Sequence, residues 1–314
     1  MPNFTIEERS LAERLKPRAE IERHFARIGH TYRHGALDRA FERKIQRPVL
    51  KFGLRTLGLY ERGRQNSLSV AVTRLQFSFS DLPRAFDGFQ ILHLSDFHID
   101  GVEGLTEVLE RMLPALHPDL CVFTGDYRFE DHGDCQAIYP RMRRIVKSIH
   151  AKYGIYGILG NHDAGEIALT LEEYGVRMLV NEAAEIEKAG EAISLLGVDD
   201  SFDYRCDDLP AALATVPPNA FKILLSHSPE LYRDAAAAGI QLYLTGHTHA
   251  GQIRLPGIGA LKHNARCPRS LGSGVWQYRG MQGYTSTGVG CSGVSVRFHC
   301  PPELVLIELG RSAS

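Results

Sequence analysis

The chain has 314 residues, of which 44% are hydrophobic and 23% are charged, and its formal net charge at pH 7 is −1. This composition is typical of a globular protein and excludes a disordered, collagen-like or coiled-coil chain. The near-neutral charge excludes a polybasic protein that coats DNA. No apolar run approaches the roughly 18 residues of a membrane span, and the opening MPNFTIEERS has no apolar region of the kind that a secretory signal contains.

The first part of the chain is predicted to be a basic helical extension, residues 1–66. Residues 1–75 contain 16 Lys and Arg against 8 Asp and Glu, whereas the rest of the chain is acidic. Apolar residues recur at helical spacing at Ile21, Phe25 and Ile28, and again at Leu37, Phe41 and Ile45. Pro48, Gly53, Gly58 and Gly63 are then expected to break the helical pattern.

The basic extension has two interpretations. The stretch from Val49 to Leu59 mixes apolar residues with Lys51 and Arg55, which is typical of a segment that lies on an anionic membrane surface. Alternatively, the extension packs on the core of the protein and keeps its arginines in solvent. The helical spacing fits both interpretations equally well.

Six cysteines are scattered along the chain without a Cys-x-x-Cys pair: Cys121, Cys135, Cys206, Cys267, Cys291 and Cys300. Their spacing does not indicate a zinc site. We therefore expect unpaired thiols in a reducing compartment, and a cytoplasmic protein, peripheral at the inner membrane face if the extension binds lipid.

Beyond residue 67 the pattern predicts an α/β fold. Buried strands are predicted at Val70–Phe79, Gln90–Leu94, Leu120–Phe123, Ile155–Leu159, Phe221–Leu225, Gln241–Leu244 and Leu304–Leu309. Helices are predicted between them at Leu105–Leu116, Tyr139–Lys152, Ile167–Tyr174 and Leu231–Ala238. Alternation of short apolar runs with helices favours buried, largely parallel strands.

Five of the apolar runs end in acid/base or metal-binding residues. The five motifs are Ser95-Asp96-Phe97-His98, Thr124-Gly125-Asp126, Gly160-Asn161-His162-Asp163, Ser226-His227 and Thr245-Gly246-His247-Thr248-His249. Ligand sites in open α/β sheets form outside the carboxyl ends of the strands. Most of these motifs are common when they occur alone; Gly-Asn-His-Asp is the most specific, and the ordered set of five is far more informative than any member.

The donor types in these motifs indicate a dinuclear metal centre. The seven donors are Asp96, His98, Asp126, Asn161, His227, His247 and His249. Carboxylate, imidazole and amide donors suit Mn²⁺, Fe or Zn²⁺, and seven are too many for one tetrahedral ion. Two divalent cations held by only two carboxylates leave a cationic centre, which fits a phosphate ester and its more highly charged transition state.

Together the five motifs resemble the signature of the calcineurin-like metallophosphoesterase superfamily over about Gln90 to Leu309. The run from Gly246 to Pro256, with Arg297-Phe298 and Pro302-Glu303 after it, is similar to the bacterial YaeI/YkuE-like phosphodiesterase branch. The chain departs from that branch at Ala250, where the branch usually has Gly. The resemblance implies a four-layer sandwich of two mixed β-sheets flanked by helices, over residues 67–314.

The resemblance also implies a role for each site residue. Asp96, His98, Asp126 and His249 would hold one ion, with Asp126 bridging to a second ion held by Asn161, His227 and His247. His162 would act at the leaving-group oxygen as a general acid or a stabiliser of charge. Asp163 would orient the His162 ring, or would cap the following helix.

The implied reaction is in-line attack of a metal-bridging hydroxide on a phosphodiester. The substrate suggested by the basic extension is a lipid-linked or nucleotide-sugar diphosphate of the UDP-2,3-diacylglucosamine type; nucleotides are an alternative substrate. A non-catalytic scaffold and a nuclease are further alternatives, the latter disfavoured by the acidic body. Arg128 and Arg297 are candidates for gripping the substrate, although either arginine is more easily explained as structural.

Overall fold

The computed structural model describes residues 10–28, 41–260 and 264–312. The predicted apolar position Leu37 lies outside these residues. In the described part of the extension there are four α-helices and one π-helical turn, which runs directly into the third helix: α1 (Leu11–Arg14), α2 (Lys16–Ile28), the turn Glu42–Gln46, α3 (Arg47–Thr56) and α4 (Tyr60–Leu68).

The first large sheet has six strands in the order β1-β14-β2-β3-β4-β5. Its strands are β1 (Ala71–Phe79), β2 (Phe89–Leu94), β3 (Leu120–Phe123), β4 (Ile155–Gly157), β5 (Val176–Met178) and β14 (Glu303–Arg311). Strands β2 to β5 are parallel, and β14 is antiparallel to β2. The last strand therefore returns to the middle of the sheet, beside the first motif strand.

The second large sheet also has six strands, in the order β12-β13-β9-β8-β7-β6. Its strands are β6 (Glu182–Lys188), β7 (Glu191–Gly197), β8 (Phe221–Leu225), β9 (Leu242–Thr245), β12 (Gly274–Tyr278) and β13 (Met281–Thr285). The central strands β7, β8, β9 and β13 are parallel, and both edges close with antiparallel hairpins. A short hairpin of β10 (Arg254–Leu255) and β11 (Gly259–Ala260) stands apart.

Three apolar cores arrange these elements in four layers. One core lies between the sheets, where Ile91 and Val122 of the first sheet pack in the same cluster as Ile223 and Leu242 of the second. The outer cores bury one face of five helices: α5 (Leu105–Met112), α6 (Tyr139–Lys147) and α7 (Gly165–Glu173) against the first sheet, and α8 (Leu209–Leu213) and α9 (Tyr232–Ala237) against the second. The predicted four-layer α/β sandwich is confirmed.

The strand predictions are close to the structure, and of the helix breaks expected at Pro48, Gly53, Gly58 and Gly63 the structure has the one at Gly58 and not the other three. Strands β3 and β8 have the predicted bounds. In contrast, α3 runs through Pro48 and Gly53. Pro48 closely follows the π-helical turn Glu42–Gln46, and such a local change in the hydrogen-bond pattern lets a helix continue past a proline. Gly63 lies within α4, where a Cβ would approach Val296 to 2.7 Å, so its role is close packing.

Helices α1 and α2 belong to the packed body of the protein. Leu11 and Leu15 are buried in the same core as the first sheet. The side chain of Arg18 is completely buried, and it forms an ion pair with the carboxylate of Asp199. The predicted boundary between residues 66 and 67 stays a prediction, and these contacts cross it.

The cations of the extension meet carboxylates of the acidic body. Besides the Arg18–Asp199 pair, Arg14 Nη2 lies 2.7 Å from Glu182 Oε1, and Arg47 Nη1 lies 3.0 Å from Glu130 Oε1. The opposite charges of the two parts of the sequence are thus partly matched within the molecule. This finding supports the packing interpretation for the first helices without excluding a second role for α3.

The structure also bears on two expectations, which concern membrane-spanning helices and unpaired cysteine thiols. Among the described residues, no helix combines the length and the apolar character needed to cross a bilayer. No disulfide joins the six cysteines, all of which lie in the described ranges, and five of the six are buried.

The Arg18–Asp199 pair generates a stability prediction. We expect Arg18→Met to lower the free energy of unfolding by about 3–5 kcal/mol, because it leaves the buried Asp199 carboxylate without a counter-charge. Urea denaturation followed by circular dichroism measures the change. The matched control is Arg23→Met, at an exposed position of the same helix. An equal effect of the two substitutions would show that the buried pair is not what anchors α2.

Candidate metal centre

The five motifs meet at one edge of the sandwich. Strands β2, β3 and β4 are parallel neighbours in the first sheet, and β8 and β9 are parallel neighbours in the second. The carboxyl ends of parallel strands share an edge of the sheet, so the residues that follow them come together. All seven predicted donors converge there, and each is buried: Asp96, His98, Asp126, Asn161, His227, His247 and His249.

Asp96, His98 and His249 form the first cluster of donor atoms. The Nε2 atoms of His98 and His249 lie 3.1 Å apart. His249 Nε2 also lies 3.2 Å from Asp96 Oδ1. Separations near 3 Å between donor atoms are those expected around one cation with bonds of about 2.0–2.2 Å.

Asp126, Asn161, His227 and His247 form the second cluster. His227 Nε2 lies 3.2 Å from Asp126 Oδ2 and 3.1 Å from Asn161 Oδ1. His247 Nδ1 lies 2.8 Å from the same Asn161 oxygen. The donor atoms of these four residues thus lie close together, as those of the first cluster do.

The carboxylate of Asp126 joins the two clusters. Its Oδ2 atom lies 3.2 Å from His227 Nε2 in the second cluster and 3.5 Å from His98 Nε2 in the first. A carboxylate between two sets of imidazoles suits the bridging position of a dinuclear site.

Backbone carbonyls fix which ring nitrogens face the centre. His98 Nδ1 lies 2.7 Å from the Arg128 carbonyl oxygen, and His227 Nδ1 lies 2.6 Å from the Thr124 carbonyl oxygen. A carbonyl only accepts, so both Nδ1 atoms must donate. In the neutral ring the Nε2 lone pair is then free to bind a metal ion, as in well-supported metal sites.

The charges of the buried donors also suit a cation. Burial lowers the pKa of His98 to about 3, so that its ring is neutral. Burial alone would lower the pKa of His227, but the Asp126 carboxylate outweighs it and raises this pKa to about 10. The same pair holds the pKa of Asp126 well below its usual range, against the effect of burial. A cation between these two side chains would take the place of the proton.

Unusual backbone conformations concentrate at the centre. Positive φ values occur at Asp96, His98, Asp126, His247 and His249. Residues other than glycine adopt this region at a cost and do so mainly at functional sites, where the surrounding structure holds them. Ala250 has φ of 48°, in the left-handed region. A side chain is strained in this region, which glycine adopts without cost.

Two motif glycines are required by close packing of the strand ends. A Cβ on Gly246 would lie 1.9 Å from Ser95 Oγ, and a Cβ on Gly160 would lie 2.2 Å from Asp126 Oδ1. Any side chain at either position would displace Asp96 or Asp126.

His162 stands beside the first cluster and its ring is partly exposed. The centroids of the His162 and His98 rings are 4.8 Å apart. His162 Nδ1 donates to the Phe129 carbonyl oxygen at 2.7 Å, and the His162 amide donates to Asp126 Oδ1 at 2.8 Å. Among the described residues its Nε2 has no hydrogen-bond partner, so this atom is available to a substrate.

The carboxylate of Asp163 does not contact the His162 ring, which differs from the expected orienting role. Instead it accepts from the backbone amides of Asp126 at 2.8 Å, Tyr127 at 2.8 Å and Gly160 at 2.7 Å. Its side chain does not cap the next helix either. Asp163 therefore ties two of the strand-end loops together, while the Phe129 carbonyl orients His162.

Sequence reasoning missed two residues that hold the Asn161 loop. Arg18 Nη2 donates to the carbonyl oxygens of Gly160 at 2.7 Å and Asp163 at 2.6 Å. Asn161 Nδ2 donates to Asp203 Oδ2 at 3.2 Å, which turns the amide oxygen towards His227 and His247. Neither Arg18 nor Asp203 belongs to a motif, so no local signal identifies them.

The two arginines considered for substrate binding are structural. Arg128 is buried and donates to the carbonyl oxygens of His162 at 2.5 Å and Gly133 at 2.8 Å. Arg297 is also buried, donates to the Thr287 carbonyl oxygen at 2.7 Å, and has its Nη2 atom 3.3 Å from His249 Nδ1. Both arginines therefore stabilise the loops next to the donor residues.

The donor set fits two divalent cations, the group implied by the resemblance. Four imidazoles, two carboxylates and one amide oxygen meet in a buried region, in two clusters that share Asp126. Without a cation this region would bring several lone pairs into close contact away from water, which is unfavourable. The identity of the ions is not determined by these donors alone.

Comparison with known proteins agrees with this geometry. A family model described as calcineurin-like phosphoesterase matches residues 89–251. The chain is 26% identical over 262 residues to the uncharacterized metallophosphoesterase YkoQ of Bacillus subtilis, covering 80% of this chain and 94% of that protein. It is 28% identical to YkuE of B. subtilis, covering 76% and 85%. It is 27% identical to the phosphodiesterase YaeI of Escherichia coli, covering 70% and 82%.

The bridging position of Asp126 generates a metal-binding prediction. Asp126→Asn removes the charge that the two clusters share, so we expect the metal content after gel filtration to fall from about two ions per chain to less than about one. Elemental analysis by mass spectrometry measures the content. Glu103→Gln, at an exposed position, is the control for loss of one negative charge. Full metal loading of Asp126→Asn would contradict a bridging role.

Proposed function

The chain belongs to the calcineurin-like phosphoesterase family and is a metal-dependent phosphoester hydrolase, and we propose that it is a dinuclear phosphodiesterase. The observation that carries this proposal is the Asp126 carboxylate, which faces donor atoms of both clusters. A centre with two carboxylates and four imidazoles keeps a positive charge when it holds two divalent ions. Such a centre attracts the phosphoryl oxygens of a substrate.

Each donor has a defined task in this proposal. Asp96, His98, Asp126 and His249 hold the first ion, and Asn161, His227 and His247 complete the second around the shared Asp126. Two divalent ions such as Mn²⁺ would, when bound, supply Lewis-acid polarisation of the phosphoryl oxygens and a more acidic water for in-line attack on phosphorus. The chain contributes rigid placement, because carbonyl oxygens and Asp163 hold the ligands and their loops.

His162 acts on the leaving group. Its Nδ1 is committed to the Phe129 carbonyl, which leaves Nε2 as the atom that reaches a substrate. Protonated Nε2 donates to the leaving-group oxygen as the bond to phosphorus breaks, either transferring the proton or stabilising the charge. Asp163 is a positioning residue here, since it contacts only backbone amides.

We further propose that the substrate is a lipid-linked or nucleotide-sugar diphosphate met at an anionic membrane face. The support is an apolar stripe, which we define as Phe41, Ile45, Val49 and Phe52. These residues recur at helical spacing and are 57%, 50%, 64% and 69% exposed. The stripe thus leaves large apolar side chains in water on a basic segment, which is the pattern of helices that lie in the interface of a bilayer.

One prediction of the proposed function concerns His162. With Mn²⁺-loaded protein we expect hydrolysis of bis-p-nitrophenyl phosphate to exceed that of the monoester p-nitrophenyl phosphate. We expect His162→Ala to keep its metal and to lose about 10²–10⁴-fold in kcat, since proton donation to the leaving group is removed. The loss is expected to be larger for an alkyl than for a nitrophenyl leaving group, because an alkoxide needs more stabilisation. Steady-state kinetics and elemental analysis measure these effects.

The same assay separates the alternatives. The substrate panel includes cyclic nucleotides and a UDP-linked acylated sugar with and without detergent. Activity restricted to nucleotides would replace the lipid-linked substrate, and strong activity on the monoester alone would overturn the diesterase proposal. Metal-loaded protein that cleaves no phosphodiester would point to a non-catalytic scaffold. Full turnover of His162→Ala with both kinds of leaving group would refute the role of His162.

Another prediction of the proposed function concerns the apolar stripe. We expect the protein to sediment with vesicles that contain phosphatidylglycerol, and less with pure phosphatidylcholine vesicles. The double substitution Val49→Glu/Phe52→Glu should weaken this association by at least about tenfold, because two apolar side chains no longer enter the bilayer. Val275→Glu, at an apolar position on β12 that is 59% exposed, is the control. Wild-type protein that stays in the supernatant with anionic vesicles would exclude the membrane proposal.

A further inference from the structure

A cavity of about 570 Å³ lies between the extension and the hydrolase body. One wall consists of Arg47, Pro48 and Lys51 of α3 and Tyr60 of α4, and the rest of the lining consists of Phe129, Glu130, His132 and residues 293–295. Its volume is within the range of pockets that bind small molecules in proteins. The sequence motifs do not predict this cavity, because none of its lining residues belongs to a motif and four of the ten come from the extension.

The cavity is adjacent to the candidate metal centre. Phe129 is one of the residues that line the cavity. Its carbonyl oxygen accepts a hydrogen bond from His162 Nδ1. The centroid of its ring is 6.2 Å from that of His98. The ring also packs on Gly101, where a Cβ would approach it to 2.2 Å, so its position is tightly constrained. Phe129 is therefore the residue that the cavity and the candidate site share.

The two cationic side chains that line the cavity, Arg47 and Lys51, have different partners. Arg47 Nη1 donates to both carboxylate oxygens of Glu130, at 3.0 and 3.2 Å. Lys51 Nζ instead lies over the Tyr60 ring, 5.4 Å from its centroid. In the described part of the chain, no carboxylate lies within ion-pair distance of Lys51. Among the described residues, the cavity thus contains a half-buried lysine without an ion pair and a glutamate, Glu130, that is paired with Arg47.

We propose that this cavity is a substrate subsite, in which Lys51 binds an anionic group that lies beyond the scissile phosphate. The inference rests on the proposed phosphodiesterase function and specifies the substrate class: a phosphodiester that carries a second phosphate or similar anion. An ammonium group in a partly desolvated cavity makes a charge-assisted hydrogen bond to such a group. The Arg47–Glu130 pair fixes α3 against the loop that contains Phe129, and so keeps the two walls in place.

The position of α3 connects this subsite with the apolar stripe. Val49 and Phe52 of the stripe and Arg47 and Lys51 of the cavity belong to the same helix. Arg47 and Lys51 are half-buried, whereas Val49 and Phe52 are exposed. One helix therefore presents cations to the cavity and apolar side chains to solvent.

The test uses two chromogenic esters that differ by one phosphate, the p-nitrophenyl ester of thymidine 5′-phosphate and its 3′-phosphorylated derivative. We expect the metal-loaded wild type to favour the phosphorylated ester about tenfold in kcat/KM, chiefly through KM. Lys51→Glu should abolish this preference. Arg62→Glu, an exposed position on α4 with the same change of charge, should retain it.

A binding measurement on chelated, metal-free protein gives a second readout. Isothermal titration with thymidine 3′,5′-bisphosphate should show about tenfold weaker binding to Lys51→Glu than to wild type, and a change of less than about twofold for Arg62→Glu. An unchanged preference in Lys51→Glu, or equal binding of the bisphosphate by Lys51→Glu and wild type, would overturn the subsite. If the wild type cleaves neither ester, the proposed function fails and the titration alone decides the subsite.

Discussion

The crowding of donor atoms around Asp126 is the constraint that the rest of the site has to meet. Imidazole nitrogens and carboxylate oxygens lie about 3 Å apart on buried side chains, with Asp126 Oδ2 between His98 and His227. Burying these groups close together is unfavourable without a cation. The fold must therefore supply enough rigidity to hold the donors before a cation binds, and cation binding is in turn expected to contribute to the stability of the folded state.

This rigidity comes from contacts between loops that are distant in sequence. Asp163 accepts from amides of the Gly160 and Asp126 loops, and the carbonyl of Arg128 orients His98. The guanidinium of Arg18 then holds Gly160 and Asp163 from the other side. Strained backbone at positive φ is retained at five of the seven donors because these contacts overdetermine it. The metal centre and the extension are thus mechanically connected through one arginine.

The sequence predicts the parts of the molecule whose signal is local. Apolar runs identify β3 and, apart from Lys222, β8, since strands covered on both faces are largely apolar, and the motifs at their ends identify the donors. Strand β6 was missed because its run EAAEIEK alternates small and charged residues, which is a weak strand signal. Arg18 and its acceptors are separated by 142 and 145 residues, so only the fold brings them together. The contact between Phe129 and His162 likewise exists only because the fold brings the two residues together.

The basic extension is better understood as part of the catalytic architecture than as an appended segment. Its first helices direct Arg18 into the acidic body beneath the Asn161 loop, and α3 forms one wall of the cavity beside His162. The excess of cations in residues 1–75 is partly neutralised by Asp199, Glu182 and Glu130, whereas no carboxylate of the described residues lies within ion-pair distance of Lys51. A half-buried lysine without an ion pair in the described part of the chain, in a cavity that shares Phe129 with His162, is an arrangement that packing alone does not require. Substrate binding gives a physical reason for it that the packing interpretation of the extension lacks.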